Sequence, residues 1–174
     1  MPKPARTATG PAPSAAPNKA GDILIVDDTP ANLNVLVALL KQNAYSVRAT
    51  TSPTLALQSV LASPPELIIL DVCMPEMDGF EVCRQLKANP QTVDIPVIFV
   101  SGLNEQADRV RGLEVGGVDF ISKPLQREEI LARVKTHLSL RGAMLELARQ
   151  KQTLESLVQE RTRELLQERN AAQR

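Results

Sequence analysis

Residues 67–81 read LIILDVCMPEMDGFE, and the order of residue types in that stretch decides the fold. Leu67 to Leu70 are apolar at every position, which a strand tolerates only when both faces of its sheet are covered. Asp71 ends the run. Pro75 and Asp78-Gly79 punctuate the loop that follows, and Phe80, Val82, Cys83 and Leu86 then recur at helical spacing. The segment is therefore a strand, a loop and a helix, with an acid at the carboxyl end of the strand. A strand buried on both faces needs helices on both sides, the arrangement of α/β proteins with a parallel sheet.

The same unit repeats in both directions. Strands are expected at Ile23 to Asp27, Ser46 to Ala49, Val97 to Val100 and Phe120 to Ser122, separated by amphipathic stretches. Thr29-Pro30 and Ser52-Pro53 each place a hydroxyl before a proline at the first helical position, where a missing N–H costs nothing, so two helices begin there. Asp78 or Gly79 opens the third. Asn104 caps the fourth, with Val110 and Leu113 facing inward, and Gln126 opens the fifth. Five such repeats make a doubly wound (βα)5 parallel sheet.

The fifth helical pattern continues past Leu140 without a proline, through residues 141 to 169. Positions 140, 144, 147, 151, 154, 158, 161 and 165 carry Leu, Met, Leu, Lys, Leu, Val, Arg and Leu, a seam with coiled-coil spacing that Lys151 and Arg161 weaken. Gly142 costs about 1 kcal/mol of helix propensity relative to Ala and is the candidate hinge of this helix. The expected organisation is a disordered leader over 1–21, a compact domain over 22–138, and a helical coiled-coil linker over 139–174 that favours a homodimer. The leader contains almost nothing large and apolar with which to offset the entropy of ordering.

The chain has 174 residues, 43% of them hydrophobic, enough for one good core. Its 20 basic and 20 acidic residues balance overall, but residues 22–137 carry 15 acidic against 10 basic ones. That balance, the 2% aromatic content and the absence of Trp argue against a direct nucleic-acid binder. Cys73 and Cys83 make no disulfide framework, and no apolar run is long enough for a membrane span or a signal peptide. A cytoplasmic location follows as the expectation.

The polar residues that interrupt the pattern sit where ligands bind in open parallel sheets, beyond the carboxyl ends of the strands. Asp27-Asp28 follow the first strand, Asp71 the third, Ser101 the fourth and Lys123-Pro124 the fifth. Three carboxylates brought together stay ionised only around a cation. Oxygen-only donors, with no Cys or His placed for zinc, favour Mg²⁺. One Asp can then attack phosphorus to give an acyl phosphate, Lys123 supplies a compact positive charge, and Ser101 can donate a hydrogen bond to a phosphoryl oxygen.

Taken together, and with DVCMPEMDGFE over residues 71–81 as the most specific piece, these motifs resemble the receiver domain of two-component response regulators across about residues 22–138. The resemblance implies a flavodoxin-like sheet of strand order 2-1-3-4-5, with Asp71 as phosphoacceptor. It implies Mg²⁺ held by Asp28, Asp71 and the backbone carbonyl of Cys73, with Asp27 acting through water. It makes Ser101 and Phe120 the switch pair, the ring turning inward when the hydroxyl moves, and puts the family's cis peptide at Lys123-Pro124. A histidine kinase or phosphotransfer protein would be the phosphodonor. The signal would leave through the last two helices and the coil to an output domain expected after residue 174. On this reading the chain is not an enzyme but a signalling domain that catalyses its own phosphorylation and dephosphorylation.

Two other classes fit parts of the pattern. An aspartate-nucleophile phosphohydrolase also uses a strand-end Asp, a Ser/Thr, a Lys and Mg²⁺, but such enzymes resemble DxDx[TV] after the first strand, whereas this chain has Asp27-Asp28-Thr29-Pro30. A scaffold dimerised by its coil, with modification incidental, is the other. His137 reads as a helix-end residue favourable to the dipole rather than a phosphodonor. Met74 and Met77 read as packing residues of the loop, and Cys73 and Leu103 as neighbours that tune the lifetime of a modified state.

Overall fold

The apolar runs form five strands, β1 (Asp22–Val26), β2 (Ser46–Thr50), β3 (Leu67–Asp71), β4 (Val97–Ser101) and β5 (Asp119–Ser122). These come from a computed structural model that describes residues 20–102 and 106–172. Nearly all of the expected leader, together with Leu103 and the expected cap Asn104, lies outside the described residues. Every strand pair is parallel and the order is β2-β1-β3-β4-β5, the doubly wound arrangement expected. β1 ends at Val26, so Asp27 and Asp28 stand just past the strand rather than in it.

Alternation along the strands splits the interior into two layers. On one side Leu24, Val26, Ile68, Leu70 and Phe99 pack with Val60 of α2 (Pro53–Ala62) and Phe80, Cys83 and Leu86 of α3 (Gly79–Ala88). On the other, Ile23, Ile25, Ile69, Val100 and Ile121 pack with Leu33, Leu36 and Leu40 of α1 (Pro30–Gln42) and with Ile130 and Val134 of α5 (Arg127–Ala172). β3 is buried along its whole length, as its uninterrupted apolar run requires. Each fully buried Leu or Ile contributes about 1.5–3 kcal/mol. Both cysteines are free thiols, Cys83 buried and Cys73 exposed.

The helix starts follow the sequence in part. Ser52 caps α2, its hydroxyl accepting from the Leu55 N–H, and Asp78 caps α3 by accepting from the Glu81 N–H. Thr29 occupies the N-cap position of α1 but does not cap it with its side chain; the hydroxyl instead donates to the Asp28 carboxylate at 3.3 Å. α4 (Gln106–Glu114) departs further from expectation. Val110 and Leu113 are 48% and 57% exposed, and the buried residue of the helix is Gly112. A β-carbon on Gly112 would come within 2.2 Å of the Phe120 ring, so α4 approaches the sheet through its glycine because Phe99 and Phe120 already fill that side.

α5 runs unbroken for 46 residues, about 69 Å at 1.5 Å per residue, and passes through Gly142 without a hinge. Its buried residues are Ile130 and Val134. Further along, Leu140, Met144, Leu147, Leu154, Val158 and Leu165 of the seam are all at least 50% exposed. His137 is therefore not at a helix end. Its ring nitrogen Nε2 lies 2.9 Å from one carboxylate oxygen of Asp119, while Arg133 donates to the other at 2.6 Å, fastening the start of β5 to α5.

Candidate functional site

The strand order reverses between β1 and β3, and the crevice at that switch point is where three acids meet. Carboxylate oxygens of Asp27, Asp28 and Asp71 all lie within 4.8 Å of one another. Asp27, Asp71 and Ser101 are buried at 1–2% exposure, unusual for carboxylates, which are rarely buried without partners. Lys123, carried past β5, reaches back with Nζ 3.0 Å from Asp71 Oδ1 and 3.7 Å from Asp27 Oδ2. Its peptide bond to Pro124 is cis.

Each side chain is set there by its strand. Asp71 ends β3 in register with Val100, which brings Ser101 of β4 to the next position along the same edge. The Lys123 N–H donates to the Ser101 carbonyl at 2.9 Å, tying the segment after β5 to the end of β4. Cys73 follows two residues after Asp71 in the loop to α3. That loop is held close by Gly79, whose N–H donates to the Val72 carbonyl at 2.9 Å. A β-carbon there would sit 2.2 Å from the Asp71 carbonyl oxygen, so no larger residue fits without moving α3.

The partners of the acids differ. Asp27 accepts from the Thr29 N–H (2.8 Å) and from the Asn32 amide on both oxygens (3.3 and 3.0 Å). Among the described residues, the hydrogen bond to the Asp71 carboxylate is the one from Lys123, on Oδ1. Burial pushes the Asp71 carboxyl up; the Lys123 hydrogen bond opposes this, the charges of Asp27 and Asp28 reinforce it, and the net result is above the ordinary carboxylate range. Burial alone would lower the Lys123 ammonium, but its hydrogen bond to Asp71 and the three nearby carboxylates hold it above its usual value. The Cys73 thiol is raised, first by burial and then by the Asp71 charge, which keeps it protonated at neutral pH.

The donor set fits a hard divalent cation. Three carboxylates cluster against one ammonium, and cation ligands supplied wholly by oxygen are what Mg²⁺ prefers. Phe120 is carried by β5. It is turned inward at 7% exposure, its ring 5.2 Å from that of Phe99 and against Gly112. Met74 is buried and Met77 half-buried against the same layer, the packing role expected of them. Two contributors were missed in the sequence. Asn32 lies in the first turn of α1, where a polar residue reads as solvated surface, and only its spacing of five from Asp27 hinted at a return contact. Arg111 of α4 lies over the Phe80 ring at 4.4 Å and pairs with Asp78 at 3.4 Å, tying α4 to the start of α3.

Comparison with known proteins agrees with this geometry. The family model described as the response regulator receiver domain matches residues 23–135, and the chain belongs to that family, the receivers of two-component systems. Members bind Mg²⁺ at an acidic pocket and interact with histidine kinases or phosphotransfer partners. The chain is 41% identical over 143 residues to a Vibrio cholerae protein named "Probable cyclic di-GMP phosphodiesterase", covering 82% of this chain and 32% of that one. It is 43% identical over 114 residues to response regulator PleD of Caulobacter vibrioides, covering 66% and 25%. The solved receiver domain of a signal transduction histidine kinase from Syntrophus aciditrophicus is 40% identical, with a TM-score of 0.64 over 68% of this chain and 90% of that one.

The chain spans a quarter to a third of the length of those two curated relatives. One of them bears an enzyme's name, and this corrects the expectation that the chain is not an enzyme. The receiver motifs describe one acidic pocket and carry no information about the chemistry of a protein in which the pocket is embedded. Among the described residues, no helix is long and apolar enough to cross a membrane.

Proposed function

We propose that this receiver takes a phosphoryl group onto Asp71 from a partner histidine kinase or phosphotransfer protein, in a Mg²⁺-dependent reaction. The observation that carries the reading is the contrast between the two buried acids. Asp27 takes neutral hydrogen bonds on both oxygens with Lys123 farther off at 3.7 Å, whereas Asp71 takes its hydrogen bond from Lys123, on Oδ1 at 3.0 Å. An Asp71 carboxylate oxygen forms the new bond to phosphorus as the bond from phosphorus to the donor breaks, and the electron pair of that bond leaves with the donor. Asp28, Asp71 and the Cys73 backbone carbonyl would hold a Mg²⁺ ion, with Asp27 acting through water, and the ion would supply positive charge against the transferring group. Lys123 keeps its proton and balances the added negative charge. Ser101 donates to a phosphoryl oxygen.

The signal then passes from Ser101 and Phe120 to the surface of α4, β5 and α5, a local charge event that biases a packed element. Three segments serve this: a leader over 1–21, the receiver over 22–138 and a coil over 139–174. The exposed seam of α5 pairs with a second copy, and phosphorylation shifts that pairing. The coil leads to an output module, and the Vibrio relative's name makes cyclic di-GMP chemistry the first output to test.

Intact-mass analysis after incubation with Mg²⁺ and a small acyl-phosphate donor tests the chemistry. One phosphoryl adduct is expected, lost in Asp71→Asn and in chelator. An adduct that survives Asp71→Asn, or none with any donor, refutes the reading.

A further inference from the structure

We propose that Asn32 is a positioning residue for the divalent cation, one that holds the Asp27 carboxylate by neutral hydrogen bonds and so leaves the negative charge of the pocket available to the metal. The inference rests on the Mg²⁺ reading above and adds to it a residue outside the ligand set. Asn32 is the third residue of α1, and its side chain turns back over the start of the helix so that Nδ2 meets both Asp27 oxygens, at 3.3 and 3.0 Å. A carboxylate can only accept, so the amide nitrogen is the atom that faces it. The Thr29 N–H makes the third neutral contact at 2.8 Å.

The chemistry follows from the charges. A carboxylate at 1% exposure needs hydrogen-bond donors in place of water. A cationic donor would meet that need while cancelling charge that the metal requires, and Lys123 already places one ammonium 3.7 Å away. A second would leave three carboxylates facing two fixed cations. An amide holds Asp27 in place without adding charge, and it fixes the rotamer of an acid whose oxygens must lie within 4.8 Å of those of Asp28 and Asp71. Groups that orient metal-site acids in this way commonly change metal affinity 10–100-fold when removed.

The test measures Mg²⁺ binding by calorimetry to the full chain and to Asn32→Ala, Asn32→Gln and Asn32→Lys, alongside urea unfolding of each in chelator. Asn32→Ala is expected to bind Mg²⁺ about tenfold more weakly. Asn32→Gln should recover part of the loss. Asn32→Lys should bind more weakly than Asn32→Ala even though its ammonium can still donate to Asp27, because the added charge competes with the metal. A purely structural hydrogen bond would move unfolding in chelator and leave Mg²⁺ affinity unchanged, and that result overturns the inference. So does an Asn32→Lys protein that binds Mg²⁺ no more weakly than Asn32→Ala. If Asn32→Ala does not fold, the Gln and Lys variants still decide by their order. If the unaltered chain binds no Mg²⁺, the metal reading itself fails and this inference fails with it.

Discussion

A single methyl group on Gly79 tests whether the loop after Asp71 is as tightly seated as its contacts indicate. The β-carbon of Gly79→Ala would lie 2.2 Å from the Asp71 carbonyl oxygen and 3.0 Å from both the Asp71 carbonyl carbon and the Val72 Cα, where ordinary contact begins near 3.4 Å. All three atoms are backbone, so no side chain can rotate away, and the start of α3 has to retreat by about 1 Å. Overpacking of this kind costs about 1–3 kcal/mol. Retreat also weakens the 2.9 Å hydrogen bond from the Gly79 N–H to the Val72 carbonyl, for about 1 kcal/mol more. Replacing glycine at a helix start returns at most about 1 kcal/mol of propensity. The net loss is about 1–3 kcal/mol, or roughly 4–12 °C in Tm for a domain of this size. With no Trp in the chain, urea unfolding followed by far-UV circular dichroism is the assay. Phosphoryl uptake should fall as well, because displacement of a reacting group by 1 Å costs on the order of 100-fold. A Gly79→Ala protein as stable as the parent refutes the steric argument.

Asp71→Asn should stabilise the chain against urea in chelator at neutral pH, since burial and the charges of Asp27 and Asp28 oppose an ionised Asp71; a less stable variant would mean that the lost Lys123 contact outweighs them. Asp119 gives the opposite pH behaviour. Burial raises its carboxyl, but hydrogen bonds from Arg133, His137 and the Phe120 N–H outweigh burial and leave it below the ordinary value. Its contribution to stability is therefore present above the unfolded carboxylate pKa of about 3.9 and lost as pH falls through the lower folded value. Asp119→Asn should lower stability at pH 7, with the difference narrowing in acid below about pH 4, and a constant difference across urea titrations from pH 7 to pH 2 would contradict this. Met144→Glu combined with Leu147→Glu places two charges on the exposed seam of α5 and should shift the chain from dimer to monomer in light scattering; an unchanged mass would remove the coil from the account.

Much of this molecule was legible because its three central strands, β1, β3 and β4, are buried on both faces. LIIL and VIFV admit no polar residue, and the acid and the hydroxyl that end those runs mark the carboxyl edge of the sheet. Asp28, Asp71, Ser101 and Lys123 were recognisable as strand-end residues, and the structure brings them to one edge. What was not legible depends on contacts between distant segments. Asp119 lies 14 and 18 residues from its partners Arg133 and His137, and no local pattern announces the cluster. The spacing of Val110 and Leu113 suggested an inward face, but the volume beneath α4 is already filled by two phenylalanine rings, so the helix turns its glycine inward. Thr29 looked like a cap because it precedes a proline, yet its N–H is taken by Asp27 and its hydroxyl by Asp28. Asn32 escaped notice for the same reason, since the acid that it serves precedes the helix on which it sits.

The central claim is that Asp71 is the residue that carries phosphate, and borohydride trapping tests it most directly. Reduction of an acyl phosphate leaves an alcohol in place of the carboxylate, and peptide mass mapping after treatment with Mg²⁺ and an acyl-phosphate donor locates it. The account predicts the reduced residue at position 71 and nowhere else. Reduction at Asp27 or Asp28, or phosphate retained on Ser101 or His137, would contradict it.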